Sequence, residues 1–330
     1  MIEFKRMEVE KEYYSDNTRV SNSSLGWFEQ SPLYFYKRLN NLEQGEDVTA
    51  FRKGTMIHMF ILQPDEFWLH YQILDFEIPK SDQQKDFAIK YIQSDAPTVN
   101  LKAIEAFKAS YVIKGMSEDK IASESLKLAL KLKRYIKYLR TKDNKVTISW
   151  SEYILLKQIK ENVEKHKLAS KLLLDSTNKW CEAFSEFHID WTHPGGLKCK
   201  SLLDRFLIDE ENKTIYLIDI KTTNLFKDFA DSVKKYSYIR QMSFYWMAIF
   251  YYMKQYGINL DNWEFKTYIV AMQLGDAQIK VFEINPNDLN EEVIYINKLV
   301  DQILWHISKN KWDYTMEYYE NDGSETLRLW

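Results

Sequence analysis

A chain of 330 residues with 45 Lys/Arg against 48 Asp/Glu, net charge −3, is long enough for one large domain or two small ones. Hydrophobic content of 45% and aromatic content of 15% supply a sizeable core and exclude global disorder; 9 Gly and 6 Pro exclude a low-complexity build. The two cysteines, Cys181 and Cys199, make no disulfide or metal framework, and there is no apolar signal core or membrane-length apolar run. The expectation is a soluble chain in a reducing cytoplasm, with no membrane partner.

In chain order, residues 1–20 read as a polar, loose arm. Asn22-Ser23-Ser24 is placed to cap a short helix through Trp27 and Phe28, and Ser31-Pro32 to start another over Leu33–Leu39. In FRKGTMIHMFILQPDEF, Met56 and Phe60 recur at helical spacing and Pro64 ends the helix. His58 sits in this apolar stretch, where a lone histidine by itself reads as a hydrogen-bonded core residue. Residues 80–100 have weak helical character. Ser117 caps a helix expected to run from Glu118 to about Arg140, with Ile121, Leu126, Leu128, Leu130 and Leu132 inward. A turn over Thr141–Asn144 and a strand-like Val146-Thr147-Ile148 follow. Ser149 and Glu152 then form a capping box that opens a helix to roughly Leu168.

Charge is uneven along this course. Residues 102–171 carry 17 Lys/Arg against 8 Asp/Glu, a local +9 in a chain that is negative overall. Such a stretch is either a solvated helical surface or a grip for a polyanion. Lys131, Lys133, Arg134 and Lys137 are its densest cluster.

The most informative stretch is GGLKCKSLLDRFLIDEENKTIYLIDIKTT, residues 195–223. Two apolar runs flank the polar turn Asp209–Lys213, which predicts a β-hairpin of two buried strands. Asp204 interrupts the first run; Asp219 and Lys221 interrupt the second. Strand alternation puts Asp219 and Lys221 on one face and sends Ile218 and Ile220 to the other. Charges in apolar strands need partners. A divalent metal is one solution, and a buried ion-pair network is the other.

Beyond the hairpin, Phe226–Lys235 reads as a short helix, and KYSYIRQMSFYWMAIFYYMKQYG as a longer aromatic one ended by Gly257. Gln241 and Tyr245 share one of its faces. Two strands meeting at Gly275-Asp276 extend the sheet, residues 286–310 form an amphipathic helix, and 311–330 form a polar, aromatic tail.

The order G-x-x-x-K-x-x-x-D, hydrophobic-D-I-K-T-T, then Q-x-x-x-Y, preceded by SNSSLGWFEQSP and G-T-x-x-H, resembles PD-(D/E)XK nucleases, and within them the RecE-like (exodeoxyribonuclease VIII) branch. The resemblance covers Ser21–Phe67 and Glu182–Ala248. It implies an α/β restriction-endonuclease-like core, a central mixed β-sheet flanked by helices, in a single nuclease domain over 1–330 with a largely helical basic insertion at 68–181. It also implies a site. Asp204 and Asp219 would hold Mg²⁺ or Mn²⁺ with His58, the Ile220 carbonyl and Glu186, for which Glu182 competes. Lys221 would orient or deprotonate the attacking water, while Gln241 and Tyr245 lie beside the scissile phosphate. Lys131, Lys133, Arg134, Lys137 and Lys200 are the candidate DNA contacts. The implied activity is digestion of double-stranded DNA from the 5′ end, leaving 3′ strands for recombination. Implied partners are a single-strand annealing protein and further copies in a homo-oligomeric ring. A structure-specific endonuclease, or a DNA-binding protein with little turnover, stands as the alternative.

Overall fold

The structure, a computed structural model, describes residues 13–43, 49–141, 145–174 and 180–327. The chain divides into two compact units, one of residues 1–64 with 158–330 and one of residues 65–157.

In the smaller unit, helices α5 (Asp82–Gln93), α6 (Val99–Ser110), α7 (Glu118–Lys131) and α8 (Lys133–Thr141) close over Phe87, Tyr91, Phe107, Ile121 and Ile136. Beside them, β1 (Tyr71–Leu74) and β2 (Val146–Ser149) pair in parallel. The single helix expected over 118–140 is two, because the backbone turns at Leu132 (φ −92°, ψ 6°). That bend points Leu132, Tyr135 and Ile136 inward, whereas Leu130, expected in the core, is 72% exposed. Lys131, Lys133, Arg134 and Lys137 stay exposed on the outside of the bend. Of the turn expected at 141–144, residues 142–144 lie outside the described residues.

The larger unit is built on a five-stranded sheet in the order β3 (Glu182–Thr192), β4 (Lys198–Asp209), β5 (Thr214–Thr223), β6 (Glu264–Gln273) and β7 (Ile279–Glu283). All neighbours are antiparallel except β5 and β6, which makes the sheet mixed. The hairpin between β4 and β5 turns where expected, and Asp209 secures it by accepting from the Asn212 backbone N–H and side-chain amide at 3.0 and 2.8 Å. A parallel neighbour requires a crossover. Here it is a 3₁₀ turn (Phe226–Asp228), α11 (Phe229–Lys235) and α12 (Tyr238–Gln255).

Helix α12 packs across β3, β4 and β5, and α13 (Pro286–Lys309) lies on α12. Helix α1 (Asn22–Gln30) touches both. The capping residue of α1 is Ser21, one position before the expected trio: its hydroxyl accepts from Ser24 N–H at 3.2 Å while the Ser24 hydroxyl returns the bond. Ser31 and Pro32 start α2 (Pro32–Leu39) as expected. The helix α9 (Trp150–Lys165) opens with the Ser149–Glu152 capping box and stops short of Leu168, since His166 begins α10 (Lys167–Leu173) by accepting from Ala169 N–H. The remaining helices are α3 (Thr49–Leu62), α4 (Pro64–His70) and α14 (Met316–Glu320), the last within the C-terminal tail.

Residues 13–20 are no loose arm. Tyr13 and Val20 are buried, and Val20 pairs with Cys199 on β4. Residues 1–12 lie outside the described residues. No helix among the described residues is long and apolar enough to cross a membrane.

Candidate active site

Regular alternation fails at one place in this sheet, and the failure builds the site. On β3, Phe184, Phe187, Ile189 and Trp191 all face the main core; on β4, Leu203, Phe206 and Ile208 do. Each strand therefore skips one step, at Glu186 and at Asp204, the two positions that face each other between the register pairs Ser185–Arg205 and Phe187–Leu203. Glu186 sits at φ +46°, in the left-handed region that costs a non-glycine residue about 1 kcal/mol or more. Backbone strain held inside a well-packed strand points to a functional demand on the side chain.

The pairing of β4 with β5 ends at the same level, at Arg205–Ile218. One step further, the Asp204 carboxylate replaces the backbone partner by accepting from Ile220 N–H at 2.8 Å. From α3, His58 donates its Nε2–H to the Ile220 carbonyl at 2.9 Å. That bond puts a proton on Nε2 and turns Nδ1 toward the acids, 3.4 Å from Asp204 Oδ2 and 3.9 Å from Glu186 Oε1. His58, Glu186 and Asp204 each offer a ligand atom within 4.8 Å of the others, a set fit to hold a metal ion. One imidazole and two carboxylates suit a hard divalent cation.

Asp219 stands beside this trio and outside it. The residue is 1% exposed, its Oδ2 is 2.6 Å from the Lys221 ammonium, and its Oδ1 accepts from Gln241 Nε2 at 3.3 Å. Burial pushes the Asp219 carboxyl up to about 6, against the pull of Lys221 and with help from Asp204. Burial alone would lower Lys221, but the Asp219 and Asp204 carboxylates raise it above its ordinary value, so the ammonium stays charged. A charged Lys221 can donate a hydrogen bond to a water or a phosphoryl oxygen. Gln241 also donates to the Tyr245 hydroxyl at 2.9 Å; Tyr245 itself is buried in the main core and raised well above the phenol range by desolvation.

This geometry has a stability consequence with a definite sign. Asp219 has a folded pKa above the ordinary 3.8, so its contribution to stability is present below about pH 4 and lost as pH rises through about 6. In chelator, wild type should lose about 3 kcal/mol relative to Asp219→Asn between pH 4 and pH 7, by denaturant unfolding. A pH-independent difference would show that the carboxyl ionises freely.

His58, Glu186, Asp204, Asp219, Lys221, Gln241 and Tyr245 thus meet at one place, whereas Lys200, Glu182 and Arg134 are engaged elsewhere. Lys200 is 6% exposed, and its ammonium donates to the carbonyls of Tyr13 and Asp16 while lying 4.6 Å from the Tyr13 ring centre. It ties the N-terminal segment to β4 and faces no solvent, which corrects its reading as a DNA contact. Glu182, the competitor of Glu186, starts β3 opposite Ile208 and belongs to no metal-fit group among the described residues. Arg134 is already paired, with its guanidinium 3.4 Å from the Asp75 carboxylate.

Two supporting residues were not anticipated. Arg240, buried beside Gln241, donates to the Asn22 side chain at 3.0 Å, to the Asn22 carbonyl and to Glu29, which locks the start of α12 to α1. Gly26 leaves it room, since a Cβ there would lie 3.2 Å from Arg240 Nη2. Tyr238 places its ring 4.9 Å from the Lys221 ammonium. Only the run of charged and aromatic residues at the start of α12 hinted at either.

A mixed sheet whose hairpin carries Asp204, Asp219 and Lys221, with a histidine and a further acid brought to the same point, defines a core of the PDDEXK type. The chain belongs to the family described as "PDDEXK-like domain of unknown function (DUF3799)", whose model matches residues 21–320. No curated protein matches it. Among solved structures it is similar to a crystal structure from Eubacterium rectale named "Putative exonuclease", with 12% sequence identity, a TM-score of 0.50, and coverage of 98% of this chain and 96% of that one. At that identity the likeness speaks for the fold.

Proposed function

We propose that this protein is a metal-dependent deoxyribonuclease that hydrolyses duplex DNA from an end, 5′ to 3′, leaving 3′ single strands. The observation that carries the reading is the convergence of His58, Glu186 and Asp204 beside a buried Asp219–Lys221 pair. His58, Glu186 and Asp204 would hold the ion, with Mg²⁺ or Mn²⁺ suited to the donor set. When bound, it supplies charge to the phosphoryl and leaving oxygens.

The chain's own groups do the rest. Lys221, kept charged by Asp219, donates to the attacking water or to a phosphoryl oxygen and offsets negative charge as it develops. Asp219 orients that ammonium, and Gln241 holds Asp219 against Tyr245. Asp204 and His58 hold the N–H and the C=O of Ile220, in the two successive peptide groups that join Asp219 to Lys221, so β5 presents both side chains at a fixed height. Exposed Lys131, Lys133 and Lys137 are free of packing duties and are assigned to phosphate contact.

The test is incubation of linear and covalently closed duplexes with Mg²⁺ and with EDTA. Linear DNA should be consumed and closed circles spared, with nothing cut in chelator. Cutting of closed circles would transfer the assignment to a structure-specific endonuclease. Full activity in EDTA would remove the metal.

A further inference from the structure

The rings leading away from Lys221 form a ladder that the proposed chemistry does not use. Lys221 lies 4.9 Å from the Tyr238 ring centre. Tyr238 stacks on Tyr236 with centroids 5.8 Å apart and planes inclined by 22°, and Lys235 lies 5.3 Å from the Tyr236 ring centre. The rings run from the Lys221 ammonium to an exposed tyrosine. Tyr236 is 56% exposed, a poor arrangement for a ring whose only task is packing.

The backbone is arranged for this stack. Ser237, between the two tyrosines, adopts φ +50°, ψ 47°, and its side chain makes no capping bond to α12. An ordinary capping serine would be extended, with its hydroxyl on the helix N–H groups. The left-handed turn costs about 1 kcal/mol, and neighbouring rings 236 and 238 lie nearly parallel across it. Exposed Lys234 and Lys235 precede the pair at the end of α11.

We infer that the Tyr236–Tyr238 ladder is a stacking subsite for an unpaired nucleobase of the DNA strand beside the scissile position. The inference rests on the nuclease reading of the site and adds its substrate feature: single-stranded DNA engaged next to Lys221. A flat exposed ring flanked by ammonium groups matches a base with its phosphate, and stacking tolerates any base. An exonuclease that separates strands at an end needs a place for the freed base, and this one adjoins the catalytic lysine.

The test is binding in EDTA, where cleavage is silent, using fluorescently labelled oligothymidylate and a covalently closed duplex as probes. Tyr236→Ala should weaken oligothymidylate binding by about 5- to 100-fold and leave closed-duplex binding within about twofold, whereas Tyr236→Phe should bind as wild type does. Tyr236→Trp should bind too, with its indole emission quenched on addition of oligonucleotide. Equal binding of wild type and Tyr236→Ala would overturn the subsite and leave the nuclease reading standing. An equal loss on closed duplex would also overturn it, because the ring would then serve the duplex. A wild-type dimer that Tyr236→Ala dissolves in sedimentation would hand the face to a second copy. Failure of wild type to bind either probe would overturn the nuclease reading along with this one.

Discussion

Replacing Asp204 with alanine should lower the rate of DNA hydrolysis by at least about a hundredfold, with Asp219→Asn close behind. Asp204 serves two ends at once: one of its oxygens accepts from Ile220 N–H, and the carboxylate faces His58 Nδ1 and Glu186. The alanine variant loses a ligand and also frees the peptide that carries Asp219 and Lys221. Asp204→Asn separates the two effects, since its amide oxygen still accepts from Ile220 while its negative charge is gone. Single-turnover rates with saturating Mg²⁺, beside thermal melts showing a retained fold, make the measurement. Near-normal turnover in either Asp204 variant would place the chemistry elsewhere.

The largest loss of stability from a residue outside the metal-fit group should come from Arg240. Its guanidinium is buried and engages the Asn22 side chain, the Asn22 carbonyl and Glu29. Removing one member of a fully buried pair costs about 3–5 kcal/mol because the other charge is stranded. The Glu29 side chain remains 28% exposed, so water recovers part of the penalty, and about 2–3 kcal/mol is expected for Arg240→Met. In a chain of this size that lowers the melting temperature by several degrees. Arg240→Lys should recover little, since an ammonium cannot reproduce the fork that spans Asn22 and Glu29. Unchanged melting in both variants would show that α1 and α12 are joined by apolar packing alone.

Much of this was legible in the sequence because it rests on local signals. The hairpin was marked by two apolar runs around Asp209–Lys213, and the pairing of Asp219 with Lys221 followed from a period of two. His58, Gln241 and Tyr245 were readable only through their order along the chain. What was hidden depends on departures from a period or on charges turned inward. Nothing in SEFHIDW announces that Glu186 takes a left-handed conformation and breaks the alternation of β3. The bend at Leu132 involves no glycine or proline, so a single helix was the natural reading of 118–140. Lys200, Arg205 and Arg240 are buried, although a cation reads as surface until its acceptors, which lie far off in the chain, are known.

The two faces of β5 carry one more consequence. Ile218 and Ile220 are fully buried, and Asp219 and Lys221 point the opposite way. Because the period of a strand is two, slipping β5 by one residue against β6 would exchange these sets. Slipped one way, Asp219 and Lys221 would enter the space of Ile218 and Ile220; slipped the other way, those isoleucines would take the places of Asp219 and Lys221. Each mispaired hairpin therefore strands a buried charge, at a cost of several kcal/mol that native pairing avoids. The residues proposed for cleavage also act during folding, as a check that admits only one alignment of the central strands.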